Sequence, residues 1–108
     1  SVGIRLLTEC INGLRAGKKY YFGSAVMNDY GMELERKKFF GSNERFFCRW
    51  EELSIWNANG SFCIAKKEDR KTMREFSYLD EDNIHVLEAA IRMLLKKGGN
   101  RLSSILEE

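Results

Sequence analysis

The chain has 108 residues, 44% of them hydrophobic and 31% charged, with 18 Lys and Arg against 16 Asp and Glu for a formal net charge of +2. That length suits one hydrophobic core and not two, and the apolar content exceeds that of a segment too polar to offset the entropy of ordering. So balanced a charge lacks the one-sign excess that drives nonspecific nucleic-acid binding, and a single folded domain over residues 1–108 with no nucleic-acid partner is expected.

The three cysteines, Cys10, Cys48 and Cys63, leave one unpaired in any scheme, and none belongs to a C-x-x-C pair. Free thiols, mostly in the core and in a reducing compartment, are the expectation. No run approaches the ~18 apolar residues of a membrane span, and the start lacks the apolar core and cleavage site of a signal peptide. A cytoplasmic location is expected. Because the chain begins with Ser, it also fits an excised segment of a longer membrane protein, which would place it at the cytoplasmic face.

In chain order, Ile4, Leu7, Ile11 and Leu14 fall at helical spacing with Leu6 widening the stripe, predicting a helix over about residues 3–16 that Gly17 helps to stop. Gly13 costs such a helix about 1 kcal/mol against Ala. From about 19 to 78 the pattern turns strand-like, with five or six strands. Tyr20 to Met27 reads as the first, and Asn28-Asp29-Tyr30-Gly31 as a tight reversal. Met32 and Leu34 alternate with Glu33 and Glu35. After Gly41-Ser42-Asn43, Phe46, Cys48 and Trp50 share one face, with Phe47 and Arg49 on the other. Ile55 and Trp56 form a short strand closed by Asn57-Ala58-Asn59-Gly60, Phe62 and Ile64 alternate in the next, and Phe76 and Tyr78 close the last.

The pattern then breaks. Asp80 fits an N-cap, Glu81 and Asp82 suit the positive end of a helix dipole, and Leu79 with Ile84 is spaced as a hydrophobic staple. Ile84, Leu87, Ile91, Leu94 and Leu95 form one apolar stripe, with Lys96 and Lys97 before the Gly98-Gly99 stop, predicting a helix over about 81–97. The stripe needs an apolar surface, and the sheet is the only one available. Residues 100–108 read as a polar tail in which Leu102, Ile105 and Leu106 add a turn or fray.

Chemical motifs are sparse. His85 is the only histidine, off the apolar stripe and with no Cys or carboxylate at ligand spacing, so a small enzyme using His85 is the weakest of the functional readings. The carboxylates at Glu51-Glu52 and at Asp80 to Asp82 are better explained as a turn and a helix start. Phosphate-binding glycine loops are absent from the sequence. No catalytic residue, cofactor or metal ligand is therefore assigned. Basic residues cluster at Arg36-Lys37-Lys38 and at Lys66, Lys67, Arg70, Lys71 and Arg74. The second group, converging on one rim, would attract an anionic partner, whereas the plainer reading is a solvated hairpin tip diluted by Glu68 and Asp69. The doublets Phe39-Phe40 and Phe46-Phe47 put an aromatic on each face of a hairpin, and both faces are expected to be covered, one by each helix.

The succession of a strand meander, Phe47-Cys48-Arg49-Trp50-Glu51-Glu52-Leu53, a further hairpin and a closing helix from Leu79 to Leu94 resembles the pleckstrin-homology-like (PH-like) fold. Leu14-Arg15-Ala16-Gly17-Lys18, Tyr21-Phe22-Gly23 and Asp82-Asn83-Ile84-His85-Val86-Leu87 are similar to uncharacterised bacterial PH-like domains. The resemblance covers about residues 10–95. It implies an α+β domain: a bent antiparallel sheet or partly open barrel of about six strands, capped by the C-terminal helix, with an additional N-terminal helix. It also implies a non-enzymatic scaffold for phosphoinositides, peptides or other domains. Lipid-binding members usually carry a basic first hairpin, where this chain has Asn28-Asp29-Tyr30-Gly31.

The expected function is thus a binding or regulatory module that takes a protein or peptide partner at an exposed sheet edge and in the groove beside the C-terminal helix. An anionic membrane surface meeting the basic rim is the alternative. A second copy in a homodimer would mask the same edge.

Overall fold

The computed structural model describes residues 2–22, 25–36, 38, 40–80 and 83–107, with the side chains of residues 2–7 and of Phe22 left aside. Helix α1 (Val2–Arg15) leads into seven strands: β1 (Tyr20–Phe22), β2 (Ala25–Asn28), β3 (Gly31–Arg36), β4 (Glu44–Arg49), β5 (Leu53–Ala58), β6 (Ser61–Lys66) and β7 (Asp69–Ser77). A 3₁₀ turn, Trp50–Glu52, separates β4 from β5. Helix α2 (Ile84–Lys97) and a 3₁₀ segment, Leu102–Leu106, complete the chain.

The fold is α+β, with every strand pair antiparallel. Among the described residues the strands form a four-stranded sheet, β1-β2-β3-β4, and a three-stranded sheet, β5-β6-β7, rather than one bent sheet or a barrel of six. Two local events account for the difference. The segment expected as one strand folds back on itself, Phe22 pairing with Ala25, and Gly23 and Ser24 lie outside the described residues. The sheet is then interrupted where the Glu52 carboxylate accepts from Arg49 N–H at 2.9 Å and winds Trp50–Glu52 into its turn.

Between the sheets and α2 lies the core of Met27, Met32, Leu34, Cys48, Trp50, Phe62, Ile64, Phe76 and the buried helix residues Ile84, Leu87, Ala90, Ile91 and Leu94. Burying each large aliphatic of α2 contributes about 1.5–3 kcal/mol of transfer free energy, enough to dock a helix whose own propensity is marginal. Trp50 is 1% exposed, as expected for the core, and its indole N–H donates to Asp29 O at 2.9 Å. Cys48 and Cys63 are buried, Cys10 is half-buried, and all three are free.

Four other expectations change. Asn83, not Asp80, precedes α2 and makes no side-chain cap, and Leu79 is 92% exposed and cannot staple. The Ser77 hydroxyl accepts from Leu79 N–H at 3.2 Å, and residues 78–80 form a turn before the helix starts. Glu81 and Asp82 lie outside the described residues. Leu95 leaves the buried stripe, being 41% exposed.

α1 packs on α2 and on the C-terminal 3₁₀ segment instead of covering a sheet face, so Phe47 on β4 stays exposed. The residue type at Gly13 is explained by Tyr20, whose hydroxyl fills the space a Cβ would need. Of the two readings of the tail, the added turn holds, as the 3₁₀ segment Leu102–Leu106, and it is built in. Leu102 and Ser103 are buried, Leu102 N–H donates to Asp29 O at 2.7 Å, and the Asp29 carboxylate accepts from both Ser103 N–H and Ser103 Oγ at 2.7 Å. Asp29 therefore joins the β2–β3 turn, Trp50 and the tail.

Candidate functional site

The five residues expected to form a basic rim differ in setting: Lys67, Arg70 and Lys71 are exposed at and beside the β6–β7 turn, and Lys66 and Arg74 are half-buried. Lys66 closes β6, with its ammonium 5.7 Å from the Phe46 ring centre. Arg70 lies 4.4 Å over the ring of Trp56. Arg74 pairs across the sheet with buried Ile64, is half-buried and sits 5.7 Å from Phe76, so it faces the opposite side from Trp56, whose pairing partner is Cys63. A register shift between Ile64 and Lys66 breaks the regular alternation along β7. Beside the exposed Lys67, Arg70 and Lys71, Asp69 is held by Arg36 at 2.5 Å. Of the aromatic doublets, Phe46 is half-buried, Phe40 and Phe47 are exposed, and Phe39, like Lys37, lies outside the described residues.

His85 is exposed on the first turn of α2 and stacks on Tyr78, ring centres 4.4 Å apart and 10° from parallel. Around it, sequence reasoning missed a polar network that ties α2 to β5. The Tyr78 hydroxyl donates to Glu88, Asn57 Nδ2 reaches Tyr78 Oη and, at 3.1 Å, Glu88 Oε2, and Arg92 donates to Glu88 at 2.9 Å and to Asn57 Oδ1 at 2.7 Å. Burial pushes the Glu88 carboxyl up, but the donors Tyr78, Asn57 and Arg92 outweigh it and leave the group below the ordinary glutamate range. Burial and the Glu88 charge together raise the Tyr78 phenol. With its ionised form satisfied by three side chains, Glu88 is a poor proton donor or acceptor, and the network works as a clamp. Among the described residues, no group of three His, Cys, Asp or Glu side chains is placed to hold a metal ion, and no helix is long and apolar enough to cross a membrane.

The clamp sits beside the sheet edge that stands out chemically. β1 is only three residues long, β4 carries Glu44, Arg45 and Arg49, and β7 carries Asp69, Arg70, Lys71, Arg74 and Glu75. β5 reads Leu53-Ser54-Ile55-Trp56-Asn57-Ala58, with no charge, proline or glycine, and among the described residues it pairs only with β6. Edge strands are ordinarily protected by charge, brevity or bulges, and β5 has none of these.

Its hydrogen-bonding phase follows from the hairpin. Asn59 and Gly60 have φ of 50° and 76°, the two left-handed residues of a type I′ turn, so the flanking Ala58 and Ser61 exchange both backbone bonds. Alternation then turns Ser54 and Trp56 toward β6, and the bond from Lys67 N–H to Glu52 O at 2.9 Å keeps the same phase. Ile55 and Asn57 therefore turn their N–H and C=O groups away from the sheet. On the other side of this edge, Glu88, Arg92 and Leu95 follow one another at helical spacing on the face of α2 that Asn57 touches, and Leu95 is exposed there. Half-buried Ile55 and exposed Leu95 supply the apolar part of the edge and the helix face.

No family model, curated protein or solved structure matches this chain. Fold and site define its class directly: an α+β domain of two antiparallel sheets and a closing helix, with, among the described residues, an uncharged edge strand tied to that helix at Asn57.

Proposed function

We propose that the chain is a PH-like, non-enzymatic interaction module that takes up an extended segment of a protein partner as an added strand on β5, beside α2. The uncharged free edge of β5 is the observation that carries this reading. The order of elements supports the PH-like part: a first meander, the Trp50–Glu52 turn into Leu53, a second meander and a closing helix. The non-enzymatic part is supported by the engagement of His85, Tyr78 and Glu88 in holding α2 to β5.

The outward N–H and C=O groups of Ile55 and Asn57 offer four backbone bonds, worth about 0.5–1.5 kcal/mol net each. That sum of about 2–6 kcal/mol does not outweigh the cost of association unaided. Apolar side chains of the segment, packed against Ile55 and Leu95, supply the remainder and the selectivity.

Selection of extended peptides from a random library, followed by comparison of Ile55→Ala with Ile55→Pro, tests the proposal. Both changes lose the Ile packing, but only proline removes the outward N–H. Binding retained by the alanine variant and lost in a folded proline variant is the expected result. Equal binding by the two, or the absence of any selected peptide, overturns it.

A second reading, contact with an anionic membrane surface, has one observation in its favour. The Arg36–Asp69 pair brings the end of β3 next to the start of β7, so Phe40, 82% exposed, stands at the same end of the molecule as Lys67 and Lys71. Salt-sensitive flotation with anionic but not neutral vesicles, lost in Phe40→Ser, would support that reading over strand addition.

A further inference from the structure

Away from the β5 edge, α1, β1, β2, α2 and the C-terminal 3₁₀ segment enclose a partly open cavity of about 180 Å³. Its walls are apolar: Met27 from the sheet, Leu87 and Ala90 from α2, and Leu102 from the tail are all buried. Four polar groups join them, Glu9 and Cys10 on α1, Tyr20 on β1 and Asn83 just before α2. Burial raises the Cys10 thiol, and burial with the nearby Cys10 and Glu9 raises the Tyr20 phenol, so both remain neutral donors at physiological pH. The position of Tyr20 is fixed from behind, its hydroxyl packed against Gly13.

We propose that this cavity is a binding site for a neutral, single-ring small molecule bearing one polar substituent. Size sets the first limit. A dry apolar cavity of roughly 150 Å³ holds a benzene ring, and this one is slightly larger. Charge sets the second. Moving an ionised ligand against Met27, Leu87, Ala90 and Leu102 costs its hydration. The neutral Cys10 and Tyr20 leave a place for one hydrogen-bonding substituent, the usual makeup of a small-molecule site: apolar walls and a few polar groups that orient. Because α1 and the tail both contribute walls, an occupied cavity ties the two ends of the chain to α2.

Phenol is the probe and benzoate the charged control, followed by backbone amide chemical shifts of the whole chain. The expected result is saturable phenol binding, with shifts centred on Cys10, Tyr20, Leu87 and Ala90 and a raised melting temperature. Benzoate binds at least about tenfold more weakly, as desolvation of its charge requires. Ala90→Leu, which fills the cavity, abolishes phenol binding. Tyr20→Phe, which keeps the ring and removes the hydroxyl, weakens phenol by about three- to tenfold and leaves benzene unaffected. Unsaturable or scattered shifts, equal binding of benzoate, or full phenol binding by folded Ala90→Leu would overturn the assignment. Should Ala90→Leu fail to fold, the phenol and benzoate comparison and Tyr20→Phe still decide it.

Discussion

Removing the Asp29 carboxylate should unfasten the C-terminal tail and cost more stability than any surface substitution in the chain. Asp29 is 6% exposed and Ser103 is 0% exposed, and the carboxylate satisfies both the N–H and the hydroxyl of Ser103 at 2.7 Å. In Asp29→Ala these two donors lose their acceptor inside the protein, at about 1–3 kcal/mol each, for a combined loss of about 3–5 kcal/mol. A loss of that size is a large share of the ~5–15 kcal/mol of a typical domain. Ser103→Ala removes one donor and leaves Asp29 Oδ2 short of one bond, while Ser103 N–H stays satisfied, and should cost about 1–2 kcal/mol. Asp29→Asn keeps an acceptor for Ser103 N–H and should fall between the two. The bonds from Trp50 Nε1 and Leu102 N–H go to the Asp29 main-chain oxygen and survive in all three variants, so the series isolates the side chain. Urea denaturation gives the three values, with an unchanged slope confirming a comparable unfolded state. An Asp29→Ala loss under about 1 kcal/mol, no larger than that of Ser103→Ala, would refute the account of the tail.

Trp50→Ala leaves a cavity among Met32, Leu34 and the α2 residues and also loses the bond to Asp29 O, so a denaturation midpoint lowered by the equivalent of about 3–5 kcal/mol is expected. Glu68 holds φ of 64° in the β6–β7 turn, a left-handed conformation that costs a non-glycine residue about 1–2 kcal/mol; Glu68→Gly should therefore raise stability by about 0.5–1 kcal/mol after the added freedom of the unfolded chain is deducted. Because the folded Glu88 carboxyl lies below its ordinary value of 4.5, its contribution is complete above that pH and is lost as the pH falls through the lower folded value. Acid titration of stability should show this limb reduced in Glu88→Gln, the remaining slope belonging to Asp69, held down by Arg36, and to Glu44, held down by Lys38.

Local periodicity made the helices and most strands readable. The α2 stripe of Ile84, Leu87, Ile91 and Leu94 is a 3.6-residue pattern that only a helix satisfies, and Trp50 at the end of an alternating run belongs inside. The failures came where a distant or competing partner decides. The tail looks polar, but its anchor is Asp29, 74 residues earlier, which no window of sequence displays. Asp80 is a good cap by type, but residues 78–80 form a turn and α2 begins only after Asn83. Within the basic cluster, the register shift in β7 and the rings of Trp56 and Phe46, which receive Arg70 and Lys66, could not be read from spacing alone. The lack of charge between Leu53 and Ala58 was visible from the start; that this stretch is an edge, and lies along α2, depends on strand order and on the Asn57 clamp.

Hydrogen exchange at β5 tests strand addition most directly. In the free protein the amides of Ile55 and Asn57 should exchange far faster than those of Ser54, Trp56 and Ala58, which the ladder to β6 protects. With a selected peptide bound, Ile55 and Asn57 should become protected to the level of their neighbours. Binding that leaves those two amides as fast as before would place the partner elsewhere and contradict the account.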